Sequence, residues 1–428
     1  MRGWIAGTIA MLMLPVAAQG SESGDTLAQR LYDGTLGEAR EDILRECAEK
    51  HSDACFAAGM MTLVEGVEGL TQAFYRHGAV APGMPGGTAA AMLLGIEPDM
   101  LGAPTNPNPE KLSYEQLRDI LDDFVVALDT ARAHFDDAGV TGDYVITIDP
   151  LAVRIDLDGD GTRGEHETLA MLIGAVGEFA ADVPFTVPES GKTKPKASEA
   201  DTSVGFDRSD AFWFAGYTQI VAAPVDLLLA HDFSGFYAAY LHRIFPKAGL
   251  PMQDYSRGGT LFMDAESDSE IADIIAAIHT LDFPVTDSAR LAGVLDRLKS
   301  ITAYSRLNWE SILLETDDNR ELVPSPSQTS IVPGMTVTQE TVDAWLETLD
   351  VIDQVLVGEL LVPHWRFKQG FDLSAYFATA TETDLVLLIA GPGALPFLKD
   401  GPVADAASFA AANRQFGADW LNYAFWFN

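Results

Sequence analysis

The sequence predicts a mainly α, multi-helix globular protein in which a short β-strand pair precedes a single acidic strand-loop-helix segment. Two observations carry that class. Apolar residues recur at helical spacing along most of the chain, and β-branched runs gather in two short stretches either side of residue 150. Hydrophobic residues make up 47% of 428, ample for a sizeable core. Acidic residues outnumber basic ones 63 to 27, a formal charge of −36, and are spread along the chain, not gathered in a tail. Such acidity repels nucleic acid and anionic lipid and reads chiefly as a solvated surface.

Residues 1–18 begin with Arg2, continue as an apolar run from Ile5 to Leu14, and end in the small residues Val16-Ala17-Ala18. That is the pattern of a secretory signal peptide. The mature protein is expected in the periplasm or the medium, with no transmembrane segment once the signal is removed. Residues 19–186 are expected to form an N-terminal helical region and 205–428 a C-terminal helical region, packed as one unit or as two. Between them, 187–204 is polar and aperiodic, a linker or exposed loop.

The two cysteines, Cys47 and Cys55, are predicted to form a disulfide joining a helix from about Leu36 to another from about Asp53. Closing so short a loop contributes about 2.6 kcal/mol in the chain-entropy model. A metal pair with His51 would lack the four soft ligands such sites use. From Phe56 to Gly78 the stripe Phe56, Met60, Leu63, Val67, Leu70 and Phe74 predicts an amphipathic helix ended by glycine. Pro98 to Pro109, with four prolines, is a loop, and Ser113 with Gln116 three residues on starts a helix to about Ala138.

Tyr144-Val-Ile-Thr-Ile and Leu151-Ala-Val-Arg-Ile, around Asp149-Pro150, read as two short strands about a turn. Then comes Asp156 to Glu167, Asp-Leu-Asp-Gly-Asp-Gly-Thr-Arg-Gly-Glu-His-Glu. A hard divalent cation takes six to eight oxygens, and a 12-residue loop supplies them from positions 1, 3, 5, 7, 9 and 12 around a sharp turn at position 6. Asp156, Asp158 and Asp160 supply carboxylates, Gly161 the turn, Thr162 a backbone carbonyl and Glu167 two closing oxygens; Gly164 at position 9 leaves that ligand to water. Over these 12 residues the chain resembles the EF-hand calcium loop, which implies bound Ca²⁺. The flanks depart from the family: a strand replaces the entering helix, and Arg163 stands at position 8, where an apolar residue pairs with a second loop. Elsewhere Asp264, Glu266 and Asp268 alternate correctly, but Ser269 replaces the turn glycine and Ile275 the twelfth-position acid. A solitary loop with water at position 9 suits the weak class of sites, on the order of 10⁻⁴ to 10⁻³ M. Thr168 to Ala181 is expected to follow as a helix.

Other motifs fall short of chemistry. Ser190-Gly191-Lys192-Thr193 mimics the end of a phosphate loop, but Thr186 replaces its first glycine. His166-Glu167 lacks the second histidine of a zinc-protease helix, since Ala170 occupies that place. Ala211 to Ala230 is apolar enough to suggest a membrane span, yet Gln219, Pro224 and Asp226 favour a buried helix kinked at Pro224. Phe233 to Phe245 is read as a helix capped by Asp232. An alternative function, a periplasmic hydrolase or lyase, would draw on Asp226, His231, Asp232, Tyr237 and His242; the two histidines face one way only if a single helix runs through both. A third is a periplasmic partner-binding helical scaffold.

Helices are further expected at Asp268–Thr280, Asp287–Ser300, Arg306–Glu315 and Glu340–Val362, one strand at Leu385–Ile389, and a packed aromatic end at Trp420 and Phe425-Trp426-Phe427. Asn308-Trp309, Glu315-Thr-Asp-Asp-Asn-Arg-Glu, Pro324-Ser-Pro and Gly358-Glu-Leu-Leu-Val-Pro-His-Trp365 resemble segments of uncharacterised signal-bearing, secreted bacterial proteins, a likeness that implies no activity.

Overall fold

The structure, a computed structural model, describes residues 19–80, 106–140, 142–164, 167–169, 202–252, 269–331, 336–417 and 420–427. The expected signal peptide, the helix expected beyond Leu169, the expected linker up to residue 201, the Asp264 segment and most of the Pro98–Pro109 loop lie outside the described residues. The chain is mainly helical.

The first helices form where caps and apolar stripes agree. α1 (Glu22–Asp33) starts at Ser21, whose hydroxyl accepts from the Gly24 N–H at 2.9 Å, and stops at Gly34 with φ +72°. α2 (Arg40–Ala48) and α3 (Ser52–Arg76) are joined by the Cys47–Cys55 disulfide, as the spacing predicted. α4 (Tyr114–Ala138) carries the expected capping box, with Gln116 N–H on Ser113 Oγ at 3.1 Å and Ser113 N–H on Gln116 Oε1 at 2.8 Å.

β1 (Gln19–Gly20), β2 (Tyr144–Ile148) and β3 (Val204–Phe206) make a sheet in that order, β1 parallel and β3 antiparallel to β2. The run Leu151–Ile155 does not pair with β2. Asp149 Oδ1 accepts from the Leu151 N–H at 3.0 Å and Pro150 opens a 3₁₀ turn, so the chain bends away and β2 takes Val204–Phe206 instead.

α5 (Arg208–Leu229) is the one described helix long and apolar enough to cross a membrane, and over half of its most apolar window is buried inside the protein. It continues through Pro224, packed between α4 and a later helix. α6 (Ser234–Tyr240) is shorter than expected, the chain tightening into a 3₁₀ turn at Leu241–Arg243; Asp232 Oδ1 nonetheless accepts from the Ser234 N–H at 2.9 Å. α7 (Ser269–His279) and β4 (Asp282–Pro284) follow.

α8 (Ser288–Ile312) merges what were expected as two helices. Across the expected break, Thr302 donates to Lys299 O of its own helix and to Asp353 Oδ1, and Ser305 to Phe427 O, which ties this stretch of helix to distant segments of the chain. α9 (Gln339–Leu356) ends before the expected Val362, because Gly358 turns the chain at φ +74°, where a Cβ would meet the Asp372 carboxylate at 2.8 Å. β5 (Gly370–Phe371), α10 (Leu373–Thr379), β6 (Glu382–Asp384), α11 (Leu385–Ala390), β7 (Leu398–Lys399), α12 (Ala410–Gln415) and α13 (Trp420–Phe427) complete the chain. β4 pairs with β6 and β5 with β7, both antiparallel. The strand expected at Leu385–Ile389 is instead α11: Asp384 caps it, accepting from the Leu387 N–H at 2.8 Å, and Gly391 ends it.

One large core draws on α1 to α5, the β2–β3 pair, α8, α9, α12 and α13, so residues from both halves of the sequence share it. Phe56 sits at its centre against Phe135, Tyr144, Phe206 and Phe214. Of the expected packed aromatic end, Phe427 is buried, lying edge-on to Trp309 at 5.0 Å with its carbonyl accepting from the Trp309 indole at 2.9 Å, whereas Trp420 is exposed and the side chains of Phe425 and Trp426 lie outside the described ones.

Candidate metal centre

The acidic loop is closed at its neck by backbone pairing. Ile155 N–H donates to Glu167 O and Leu169 N–H to Val153 O, each at 2.8 Å, with Arg154 bridged to Thr168. This short antiparallel ladder brings the first and twelfth positions together, where helix geometry does so in an EF-hand. Inside the neck, Asp156, Asp158 and Glu167 each bring one carboxylate oxygen to within 4.8 Å of the others. Oxygens coordinating one calcium at roughly 2.3–2.6 Å stand at most about 5 Å apart, so the trio fits around a common centre.

Gly161 supplies the turn that position 6 demands, at φ +84°, and Gly159 is also left-handed at φ +75°. Their N–H groups converge on Asp156: Gly159 donates to Oδ1 at 2.7 Å and Gly161 to Oδ2 at 3.1 Å. Glu167 spreads its two oxygens, accepting from Leu157 N–H at 3.0 Å and Gly164 N–H at 2.8 Å. Asp158 Oδ1 accepts from the Asp160 N–H at 3.0 Å. Asp160 itself stands outside the trio, at the exposed rim, where its Oδ1 accepts from the Thr162 N–H and Oγ1–H at 2.7 and 2.6 Å; those bonds hold its carboxyl below the usual range. Thr162 is exposed beside it.

The loop is sewn to α3 by residues that sequence reasoning missed. Glu68, buried in that helix, accepts from the Asp156 N–H at 2.9 Å and takes a bidentate ion pair from Arg163 at 2.5 and 2.6 Å. Gln72, one turn on, donates to Asp156 O at 2.9 Å, and Arg163 also reaches Gly34 O at 3.1 Å. The Arg163 that breaks the EF-hand pattern at position 8 is therefore the bolt between loop and helix, in place of a second loop. Glu68 and Gln72 share a helix face four residues apart, which marks a polar side of α3 but does not name its partner.

Two further groupings meet the same distance criterion. Cys47, Cys55 and Asp137 do, but the sulfurs are bonded to each other. Asp207, Glu315 and Glu321 also do, at the junction of β3 and α5 with the segment after α8. The Ser209 hydroxyl bridges Asp207 and Glu315, Gln328 donates to Glu315 Oε2 at 3.1 Å, and Asn319 N–H to Glu321 Oε1 at 2.9 Å. Burial, then the charge of Asp207, pushes Glu315 up to about 7 and Glu321 up to about 8. Asp210 is likewise raised, by burial and then by Asp207. Folded chains hold protons here near neutral pH.

A cleft of about 350 Å³ opens between α4, α5 and α8. It is crossed by a ladder at seven-residue spacing: Arg290 to Asp122, Arg297 to Asp129 and Tyr304 to Asp136. Asp226 of α5 ties Arg290 Nε and Arg297 Nε, each at 2.5 Å, and Gln219 accepts from Arg297 at 2.9 Å. Apart from exposed Asp296, the charged side chains that line it are paired.

Among the described residues, the groups of the catalytic alternative are each engaged with different partners. Buried His231 donates from Nδ1 to Leu227 O at 2.6 Å, so its Nε2 accepts the Thr383 hydroxyl at 2.8 Å, which Tyr376 backs at 2.7 Å; burial lowers its pKa. His242 sits in the 3₁₀ turn and meets Asp273 at 3.2 Å, while Asp232 accepts from Tyr114 at 3.0 Å. No single helix runs through both histidines, and each residue has its own partners. Asp226 belongs to the ladder, and the Tyr237 hydroxyl donates to Leu112 O.

Comparison with protein-family models, with curated proteins and with solved structures gives no match for the chain, so the site stands on its own geometry.

Proposed function

We propose that the chain is an exported calcium-binding protein whose loop takes one Ca²⁺ as a structural brace. The observation that carries the reading is the trio Asp156, Asp158 and Glu167, whose carboxylate oxygens lie within 4.8 Å of one another in a loop with a closed neck and two left-handed glycines. Three carboxylates close together repel one another, and a doubly charged ion removes that repulsion while taking oxygen ligands. Asp160 and Thr162 stand at the rim as the further ligands the loop pattern assigns. Fixing the loop also fixes Glu68, Arg163 and Gln72, so calcium would tighten the seat of the loop on α3. At a calcium concentration about tenfold above the dissociation constant the fold gains roughly 1.4 kcal/mol.

Calorimetric titration of the mature protein tests the assignment. One Ca²⁺ per chain is expected, weak and on the order of 10⁻⁴ to 10⁻³ M, and Glu167→Gln, which keeps the side-chain shape but removes the closing charge and one of the two acceptor oxygens, should weaken it at least tenfold. Absence of calcium heat in the wild type, or equal binding by Glu167→Gln, overturns the proposal.

A further inference from the structure

α11 is a six-residue helix, Leu-Val-Leu-Leu-Ile-Ala, in which no residue is buried. Its neighbours on the surface are the loop 363–368 and the 3₁₀ turn Pro392–Phe397. Together they raise a platform whose side chains face solvent: Trp365 is 72% exposed, Ile389 70%, Leu395 57%, Leu387 44% and Val386 40%. From Leu385 to Leu398 the sequence carries no charge at all, in a chain where 21% of residues are charged.

The platform is built, not frayed. Trp365 Nε1 donates to Ile389 O at 2.9 Å. His364 accepts the Arg366 N–H at Nδ1, so its Nε2–H faces Leu388 O at 3.2 Å. The His364 ring stacks against Trp365, and the Arg366 guanidinium lies 4.2 Å over the indole. Gly391 lets the loop approach: a Cβ there would meet Arg366 Cδ at 2.9 Å and the Phe367 ring at 3.2 Å. Behind the platform, Ala394 and Phe397 anchor the turn in the core while Leu395 points out. Exposed apolar side chains held this firmly mark a surface that something covers.

Charge narrows what covers it. Arg366 and Lys368, both exposed, have no carboxylate partner among the described residues, and both lie in the loop that carries Trp365. Acidic residues lie at the opposite end of α11, where Asp384 is occupied as its cap. A second copy would bring another −36 charges against the first. Two unpaired cations beside an indole and branched aliphatic side chains instead match the layered chemistry of a bilayer interface, with phosphates at the rim and acyl chains below.

We infer that the face formed by Trp365, Ile389, Leu395 and α11, rimmed by Arg366 and Lys368, docks the protein on the surface of a zwitterionic phospholipid bilayer. The chain as a whole is repelled by anionic lipid, so binding should fall as anionic lipid is added at low salt.

The test is flotation of the mature protein with phosphatidylcholine vesicles, alone and with added phosphatidylglycerol. Wild type should float with the neutral vesicles, and the double variant Trp365→Ala/Ile389→Ser should lose roughly tenfold or more of that partition. Trp365→Ala also removes the Nε1–Ile389 O bond, so the companion variant Leu387→Ser/Leu395→Ser, whose side chains are exposed, should lose partition likewise with circular dichroism and melting that match the wild type. Failure of the wild type to float, or flotation unchanged in the double variant, overturns the inference. So does a concentration-dependent dimer in sedimentation velocity that the double variant abolishes, since the face then belongs to a second copy.

Discussion

At the scale of single residues, Glu68 decides how the acidic loop sits. Its two oxygens hold the Arg163 guanidinium and one also holds the Asp156 N–H, and its side chain is only 6% exposed. Removing one member of a buried ion pair strands the other, at a cost of roughly 3–5 kcal/mol. Glu68→Ala should therefore lower the chemical-denaturation midpoint markedly in chelator as well as in calcium. A loss seen only with calcium present would show that the residue acts through the metal and not through Arg163. The ligand positions Asp156, Asp158, Asp160, Thr162 and Glu167 are legible in the sequence because spacing in a 12-residue loop is a local property. Glu68 and Gln72 are not, since they lie more than 80 residues away and only the packing of α3 brings them to the loop. The same holds for Thr383, which meets His231 across 152 residues.

Among the elements, α4, α5 and α8 are locked by the seven-residue ladder. Constant spacing between Asp122, Asp129, Asp136 and Arg290, Arg297, Tyr304 means that α4 and α8 run in the same direction, and Asp226 with Gln219 runs α5 against them. Asp226→Ala leaves two buried guanidinium groups without their shared partner and should cost roughly 3–5 kcal/mol in urea unfolding; a change within about 0.5 kcal/mol would place the ladder's weight on Asp122 and Asp129. The junction of β3 and α5 with the segment after α8 gives a pH signature. Glu315 and Glu321 are raised from 4.5 to about 7 and about 8 by burial and by Asp207. The folded state then binds more protons than the unfolded one between pH 4.5 and 8. Stability from this junction is fully present below pH 4.5 and is lost as pH rises through 7 to 8. Glu315→Gln/Glu321→Gln should flatten that decline and raise stability at pH 8 by roughly 1–3 kcal/mol relative to wild type. Parallel pH profiles for the two proteins would contradict it. The helix cap at Ser113 was readable from the sequence, whereas the one at Asp207 was not read there. The merger into α8 and the helical state of α11 were not readable: Thr302 and Ser305 meet partners 51 and 122 residues away, and the cap of α11 lies one residue outside an apolar run.

For the whole molecule, helical content and class follow from periodicity, but a shared core across both halves of the chain does not: it depends on β3, α8 and α13 returning to the first four helices. The loop occupies one edge of that core, bolted to α3 and to the turn after α1, so its order bears on the packing of the N-terminal helices. The account rests on calcium contributing to that packing. Its most direct test is differential scanning calorimetry of the chain from residue 19 onward in millimolar calcium and in excess chelator at one pH and ionic strength. The predicted result is a midpoint about 1–2 °C higher in calcium, the shift that roughly 1.4 kcal/mol produces in a protein of about 410 residues, and abolished by Glu167→Gln. Superimposable melts with and without calcium would contradict it.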